Sequence, residues 1–343
     1  MDKTEQILEQ LKDIPVTIVD ENRKYWLIRT QSGDYYQEFF HDNFVGVGWD
    51  DLNLEELNKF ESDEEMLEFI KIKYPDEKQP GRILSQIKRF TTEIQINDIV
   101  LIPSASSNFI SFGIIESDVY NQELNFEDVL DGACPFTKRR KVNWIKTVKK
   151  YDLDPYLYRL LNSHHTITDA TSYDTFIDRT LHSMYIKGDK AHLVLDVKRK
   201  ENIPYLDLIN LLKSPLDLMP IVEQFSGEKF EKNKLDIKVT LQSPGIIEII
   251  YFASPVILFG LALVMHYIVG GKIAGKYTRT EKESNLEIEG SSDGLLEKWL
   301  KFRRHADSQR LKELEAIREV FNKLDVKIPK ELKNLPIDTH SED

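Results

Sequence analysis

Ile250 to Gly271 is a run of 22 residues without a single Asp, Glu, Lys or Arg, in a chain of 343 residues that is 30% charged overall. As one helix it would reach about 33 Å at 1.5 Å per residue, enough for a hydrocarbon core of roughly 30 Å. A helix apolar on every side either spans a membrane or lies inside a protein core. Tyr251 and Tyr267 stand near the ends of the run, as interfacial aromatics do. Ala253, Gly260 and Ala262 allow close helix contact, and Gly271 and Gly275 have GxxxG spacing. Ser254, Pro255 and His266 break the pattern of a simple span. The expectation is a transmembrane-type helix over 246–275 whose position is conditional. Glu248, Pro255, Gly260, His266 and Gly271 are its candidate pore or membrane residues, because a carboxylate or imidazole against lipid is costly and belongs at a pore or a partner. The alternative is a core helix of an oligomer.

The flanks pose a topological problem. Lys272, Lys276, Arg279 and Lys282 follow the run, which favours a cytosolic C-terminal side. The N-terminus, MDKTEQILEQLKDI, has the pattern of a polar amphipathic helix and lacks the apolar region of a signal peptide. The expected location is therefore the inner membrane with cytoplasmic N-terminal domains, and one straight span cannot satisfy both flanks. A segment bent at Pro255, re-entrant, or inserted only on activation would.

The rest of the chain divides by pattern. Residues 25–29, 44–49, 98–103, 109–115 and 139–148 read as strands, and 53–73 and 82–90 as amphipathic helix. Together they predict an α+β domain over 1–150 with a bent β-barrel. Residues 151–190 read as a helical connector. The alternating strands at 191–197 and 235–241 bracket a helical pattern at 204–225, giving a small α/β domain over 191–245. A long amphipathic helix follows within 290–328, carrying Leu296, Trp299, Leu300, Leu311, Leu314, Ile317, Phe321 and Leu324, and serves as the expected oligomerisation element.

Charge and cysteine content narrow the function. The net charge is −12, and residues 272–343 hold 15 basic and 15 acidic residues, so all the excess acid lies before them. A global basic field for duplex DNA is absent, and any nucleic-acid contact must be local. Cys134 is the one cysteine, which excludes an intrachain disulfide or Cys-rich zinc site. His164-His165 and His182 lack a companion carboxylate or Cys cluster. No Gly-rich phosphate loop with Lys and no nucleophile signature is present. The expectation is a binding protein without metal or cofactor, not an enzyme.

One order of motifs goes further. Trp26-Leu27-Ile28-Arg29, Val45-Gly46-Val47-Gly48-Trp49, Ile87-Lys88-Arg89-Phe90, Asp98-Ile99-Val100-Leu101-Ile102-Pro103-Ser104, Phe112-Gly113 and Arg140-Lys141-Val142-Asn143-Trp144 follow one another. This order resembles the N-terminal sensor domain of Mrr-like restriction proteins, related to EVE and PUA-like β-barrels, over less than half of the chain. The resemblance implies a pocket that reads a base or nucleotide, often in bacterial defence against phage. Such proteins carry a nuclease after the sensor, and only Asp196-Val197-Lys198 echoes its metal-binding strand. The overall layout is similar to membrane effectors of bacterial anti-phage systems of the Hailong type, which answer to signals from a nucleotidyltransferase encoded alongside.

Bases are held by aromatic faces and edge hydrogen bonds, and phosphates by Arg, Lys, hydroxyls and backbone N–H groups. The candidate ligand residues are therefore Arg29, Trp49, the turn Ser104, Ser106 and Ser107, and the basic run Arg139, Arg140 and Lys141. Against this, the tryptophans fill a barrel core and the basic run is a solvated edge. The leading expectation is a nucleotide- or oligonucleotide-responsive membrane effector, an oligomeric pore whose partners are that signal, membrane lipid and further copies of itself. A soluble oligomeric nucleic-acid-binding regulator and an Mrr-like nuclease using Asp196 and Lys198 are the alternatives.

Overall fold

The computed structural model describes residues 14–240, 244–270, 308–329 and 331–332, together with Glu9, Leu11, Lys298, Trp299 and Phe302. The chain forms two compact units, residues 22–181 and residues 1–21 with 182–343. The second is assembled from both ends of the chain because strand β1 (Thr17–Val19) pairs in parallel with β9 (Met184–Lys187).

The 22–181 unit holds β2 (Tyr25–Ile28), β3 (Phe44–Val47), β4 (Ile99–Pro103), β5 (Phe109–Ile115), β6 (Tyr120–Asn121), β7 (Lys138–Lys149) and β8 (Ile167–Asp169). Its sheet runs β3-β7-β5-β4-β2-β8, with β6 also on β7. The strand β7 serves two partners end to end. Lys138–Lys141 pairs with β3, and Val142–Lys149 pairs with β5 across a bulge at Phe112/Gly113. A strand shared in this way must bend, and a bulge increases the local twist, so the sheet curls. Gly113 allows the bulge, since a Cβ there would lie 2.3 Å from Val142 Cγ1.

Both faces of this sheet are covered. Trp26, Ile28, Val100 and Ile102 point into one core with Phe39 and Phe90. The alternate residues Tyr25, Leu27, Ile99 and Leu101 point into another. Helix α1 (Tyr36–His41) contributes to the first core. Helices α2 (Asp63–Lys73) and α3 (Pro80–Lys88) make a third small core around Ile70, Ile83 and Ile87. The Ser62 hydroxyl accepts from Glu65 N–H, and three acids fill the first turn of α2, which explains where it starts. After α4 (Phe126–Leu130), helices α5 (Leu157–Leu161) and α6 (Asp174–Leu181) supply Leu157, Leu160, Leu161 and Ile177 to the second core.

The expected connector at 151–190 is thus corrected. Residues 151–181 complete the first unit, because β8 pairs with β2 and α5 and α6 cover its sheet. The domain ends near 181, not 150. Short helices and a three-residue strand show no clear period until their long-range partners are in place.

The other unit contains β9, β10 (Lys190–Val197), α7 (Tyr205–Ser226), β11 (Leu235–Val239), β12 (Gly245–Tyr251), α8 (Pro255–Gly270), α9 (Ser308–Lys323) and β13 (Val326–Lys327). The sheet order is β1-β9-β10-β12-β11, with β13 on β10. Helix α7 ends at Gly227, whose φ of 77° provides a left-handed cap. The expected α/β order over 191–245 is present as β10, α7 and β11. The remaining strands of that sheet come from outside the expected range.

The apolar run is not one helix. Ile250 and Tyr251 close strand β12, and helix α8 covers 16 residues, about 24 Å long. Among the described residues no helix is long and apolar enough to cross a membrane. Helix α8 is apolar all round because it is buried all round. Residues Val256 to Met265, Gly260 aside, are each 0% exposed, packed with α7, α9 and the sheet. Pro255 does not bend a span. It occupies the first turn of α8, where a missing N–H costs nothing, and Ser254 Oγ accepts from Val256 N–H at 3.2 Å. Gly260 lets α8 approach α7, since a Cβ there would meet Val222 Cγ1 at 2.9 Å.

His266 is 5% exposed, and burial pushes it below its ordinary value. Glu248 lies on β12, fully buried, accepting from Tyr185 Oη at 3.0 Å and facing His192 Nδ1 at 2.8 Å. Burial alone would raise its carboxyl. The hydrogen bond and charge of His192, with Lys238 and Tyr185, outweigh that and hold it below the ordinary carboxylate range. Three of the five candidate pore residues, Glu248, Gly260 and His266, are therefore buried in a folded unit, Pro255 is half-buried at the start of α8, and Gly271 lies outside the described residues, as do Gly275 and the basic flank. Helix α9 also faces inward. Leu314, Phe321 and Leu324 belong to the same core and are not free to form an oligomerisation face, and most of the expected element before Ser308 lies outside the described residues.

Replacing Gly260 with Leu will force α8 away from α7. We expect a loss of about 1–3 kcal/mol, read from the denaturant midpoint. An unchanged midpoint would contradict the close helix contact.

Candidate functional site

The 22–181 unit carries a cleft of about 570 Å³, within the range of small-ligand pockets. Three segments line it: Arg29, Gln31 and Ser32 beyond β2; Phe136 before β7; and Leu161 to His164 with Thr166 between α5 and β8.

The loop after β2 has an unusual backbone. Gln31, Ser32 and Gly33 take φ values of 50°, 58° and 108°. A Cβ on Gly33 would lie 2.4 Å from the Ala105 backbone, so only glycine fits. Thr30 Oγ1 donates to Pro103 O at 2.6 Å and fixes the same junction. The opposite wall is held by α3. Arg82, Gln86 and Arg89 share one helix face, at i, i+4 and i+7. Arg82 donates to His164 O at 2.9 Å, Gln86 Oε1 accepts from Ile167 N–H at 2.5 Å, and Arg89 donates to Ile167 O at 3.2 Å.

Arg29 joins the two walls. Its guanidinium donates to the carbonyls of Leu161 and Ser163, and its own N–H donates to Thr166 O at 2.8 Å. Burial lowers its pKa, with no carboxylate acting against that shift. Among the described residues no Asp or Glu forms an ion pair with it. The expected ligand residue is therefore in the cleft, as a cation held by neutral acceptors.

The aromatic side chain of the cleft is Phe136, not Trp49. Its ring meets Tyr35 edge-on, with centroids 5.2 Å apart. The glycines of Val45-Gly46-Val47-Gly48 seat it: a Cβ on Gly46 would come to 3.2 Å of Phe136 Cβ, and one on Gly48 to 3.1 Å of its ring. Trp49 packs partly buried against two cores, with a φ of 59°, and its carbonyl accepts from Lys138 Nζ at 3.1 Å. Trp26 is fully buried and donates to Asp98 at 2.8 Å, and Trp144 donates to Phe39 O at 3.0 Å. These indoles have structural work.

The basic run is a second correction. It neither meets phosphates nor forms a solvated edge. Lys138, Arg139 and Arg140 are 0%, 8% and 2% exposed, because the first half of β7 lies between β3 and β6. Lys138 binds Asp50 at 3.2 Å, and burial still lowers its pKa. Arg139 donates to Phe136 O and Cys134 O and lies 4.0 Å from the Phe44 ring centroid. Arg140 donates to the carbonyls of Phe90, Thr91 and Ser117 at 2.9–3.2 Å, tying the helical turn Arg89–Glu93 and the loop after β5 to β7. Only Lys141 is exposed. The Ser turn lies behind the cleft loop and does not line it: Ala105 abuts Gly33, while Ser104 bonds back to Phe109 N–H at 2.9 Å.

Other groups add little chemistry. The Cys134 thiol is buried and pushed up to about 12, with Arg139 and a backbone bond opposing that shift. Asp196 pairs with its own neighbour Lys198 at 3.3 Å, and no metal-binding group of three His, Cys, Asp or Glu is found among the described residues. Sequence reasoning missed Phe136, Gln31, Ser32 and the 161–166 loop. A Pro-Phe step just before the basic run and the polar stretch Asn162-Ser163-His164-His165-Thr166 between apolar segments were the available signals.

The unit is thus a curled α+β sheet domain with a cleft, lined by polar and apolar groups alike, that contains Arg29 and Phe136. A family model described as Domain of unknown function (DUF8426) matches residues 24–174, nearly the whole of this unit. No curated protein matches the chain. Among solved structures, the YTH domain of Zygosaccharomyces rouxii MRB1 protein, in complex with N6-methyladenosine RNA, is similar at 13% identity and a TM-score of 0.28. That similarity covers 48% of this chain and 92% of the other.

The buried run makes a direct prediction. Arg140→Leu leaves three carbonyls without their donor and should cost at least about 2 kcal/mol in chemical unfolding. Lys141→Ala, one residue along the strand, should stay within about 0.5 kcal/mol. Equal effects would contradict the burial of the run.

Proposed function

We propose that the 22–181 unit binds a nucleotide or single-stranded oligonucleotide in the cleft, and that this protein acts by binding, not catalysis. The observation that carries the proposal is Arg29: a half-buried guanidinium held by main-chain carbonyls with no ion-pair partner among the described residues, in a cleft that also presents an aromatic ring. A cation without a counter-charge favours an anionic ligand, and two carbonyls fix its direction without neutralising it. A phosphate, or the O6 and N7 acceptors of a guanine edge, suits Arg29. Phe136 supplies a face for a base, and Asn162, Ser163 and Thr166 supply edge hydrogen bonds.

The broader expectation was a membrane effector in anti-phage defence, with lipid, further copies of itself and a nucleotidyltransferase as partners. Its membrane half came from residues 246–275, which are strand and core helix as far as Gly270. The proposal therefore keeps the ligand-binding half, which agrees with the regulator alternative.

The test is fluorescence anisotropy with a labelled single-stranded six-nucleotide probe. Stacking contributes about 1–3 kcal/mol per base, so Phe136→Leu should weaken binding several-fold or more. Ser32→Asp places an acid beside Arg29 at a left-handed position that Asp tolerates, and should reduce binding at least tenfold without lowering the melting temperature. Full affinity in both variants, or no binding by the wild-type protein, would overturn the proposal.

A further inference from the structure

We infer that the ligand is an oligonucleotide and not a mononucleotide, because a strip of exposed cations and aromatic rings leads away from the cleft; this rests on the proposed binding reading. The strip follows a chain of contacts within the 22–181 unit. The cleft loop Gln31–Gly33 abuts Ala105. The Ser104–Asn108 turn that contains Ala105 is exposed over most of its length. Asn108 O accepts from Lys150 N–H at 2.9 Å, and Phe109 stands opposite Lys149 on the neighbouring strand. Adjacent strands lie about 4.8 Å apart, so these residues border the turn directly.

The side chains on this strip are those that hold a single strand. Lys149 and Lys150 are exposed and form no ion pair among the described residues. Lys149 Nζ lies 5.7 Å from the Tyr151 ring centroid. Phe109 and Tyr151 are 42% and 71% exposed. Phe109 and Tyr151 offer exposed ring faces beside lysines, and bases stacking on the rings with phosphates at the lysines use both. Asp34 and Asp152 are the exposed acids in the same segments, and with Arg29 the cations outnumber them. The hydroxyls of Ser104, Ser106 and Ser107 lie between the cleft and the lysines. The Ser turn therefore serves as the path of the strand and not as the wall of the pocket.

The experiment measures binding of the full chain to single-stranded RNA of mixed sequence, one, two, four and six nucleotides long, for wild type and Lys149→Glu/Lys150→Glu. The wild-type affinity should rise at least tenfold between one and four nucleotides. The double variant should keep the mononucleotide affinity and lose that rise. A wild-type affinity that is the same at every length, or a rise retained by the double variant, overturns the strip while leaving the cleft standing. Failure of wild type to bind any length overturns both.

Discussion

A guanidinium fixed by carbonyls is the constraint on which the cleft depends. Arg29 leaves the end of β2 and holds Leu161 O and Ser163 O, so one side chain sets the distance between the two walls. Everything around it serves that junction. Gly33 and Thr30 anchor the near wall on the β4–β5 turn, and Arg82 and Gln86 of α3, with Arg89 just after it, anchor the far wall. Carbonyls orient a cation but carry no net charge, and among the described residues no carboxylate forms an ion pair with Arg29. Arg179 is paired with the buried carboxylate of Asp154 in the same unit, and Arg140, which is also held by carbonyls, has the charges of Asp118 and Asp98 opposing its burial, whereas burial alone acts on Arg29.

The contrast with β7 makes the same point from the other side. Four consecutive basic residues in an acidic chain suggest a phosphate track, yet three of them are interior. Arg139 and Arg140 each satisfy loop carbonyls and lie near aromatic rings, and Lys138 has Asp50. Composition cannot separate these two fates. What separates them is the ladder: the first half of β7 has strands on both sides, while its far end presents Lys149 and Lys150 to solvent.

The strands of the first unit were legible in the sequence, because β-branched and aromatic runs such as Ile99–Pro103 and Phe109–Ile115 have few other uses. Arg29, singled out in the sequence from its place after Trp26, lines the cleft. The aromatic partner was not singled out. Trp49 is the more conspicuous side chain, but the glycines before it exist to seat Phe136, and sequence shows a glycine without showing what lies over it. The apolar run misled for a related reason. A strand buried on both faces loses its alternation, and a helix buried all round loses its polar face, so β12 and α8 read as one continuous span. Ser254-Pro255 was the visible break, and it marks the helix start.

The central claim is tested most directly by photocrosslinking a single-stranded oligonucleotide carrying 4-thiouridine to the full chain and locating the adduct by mass spectrometry. The structure predicts attachment at Phe136 or within 161–166, reduced by Ser32→Asp. Attachment confined to residues 182–343, or none that depends on light, would contradict it.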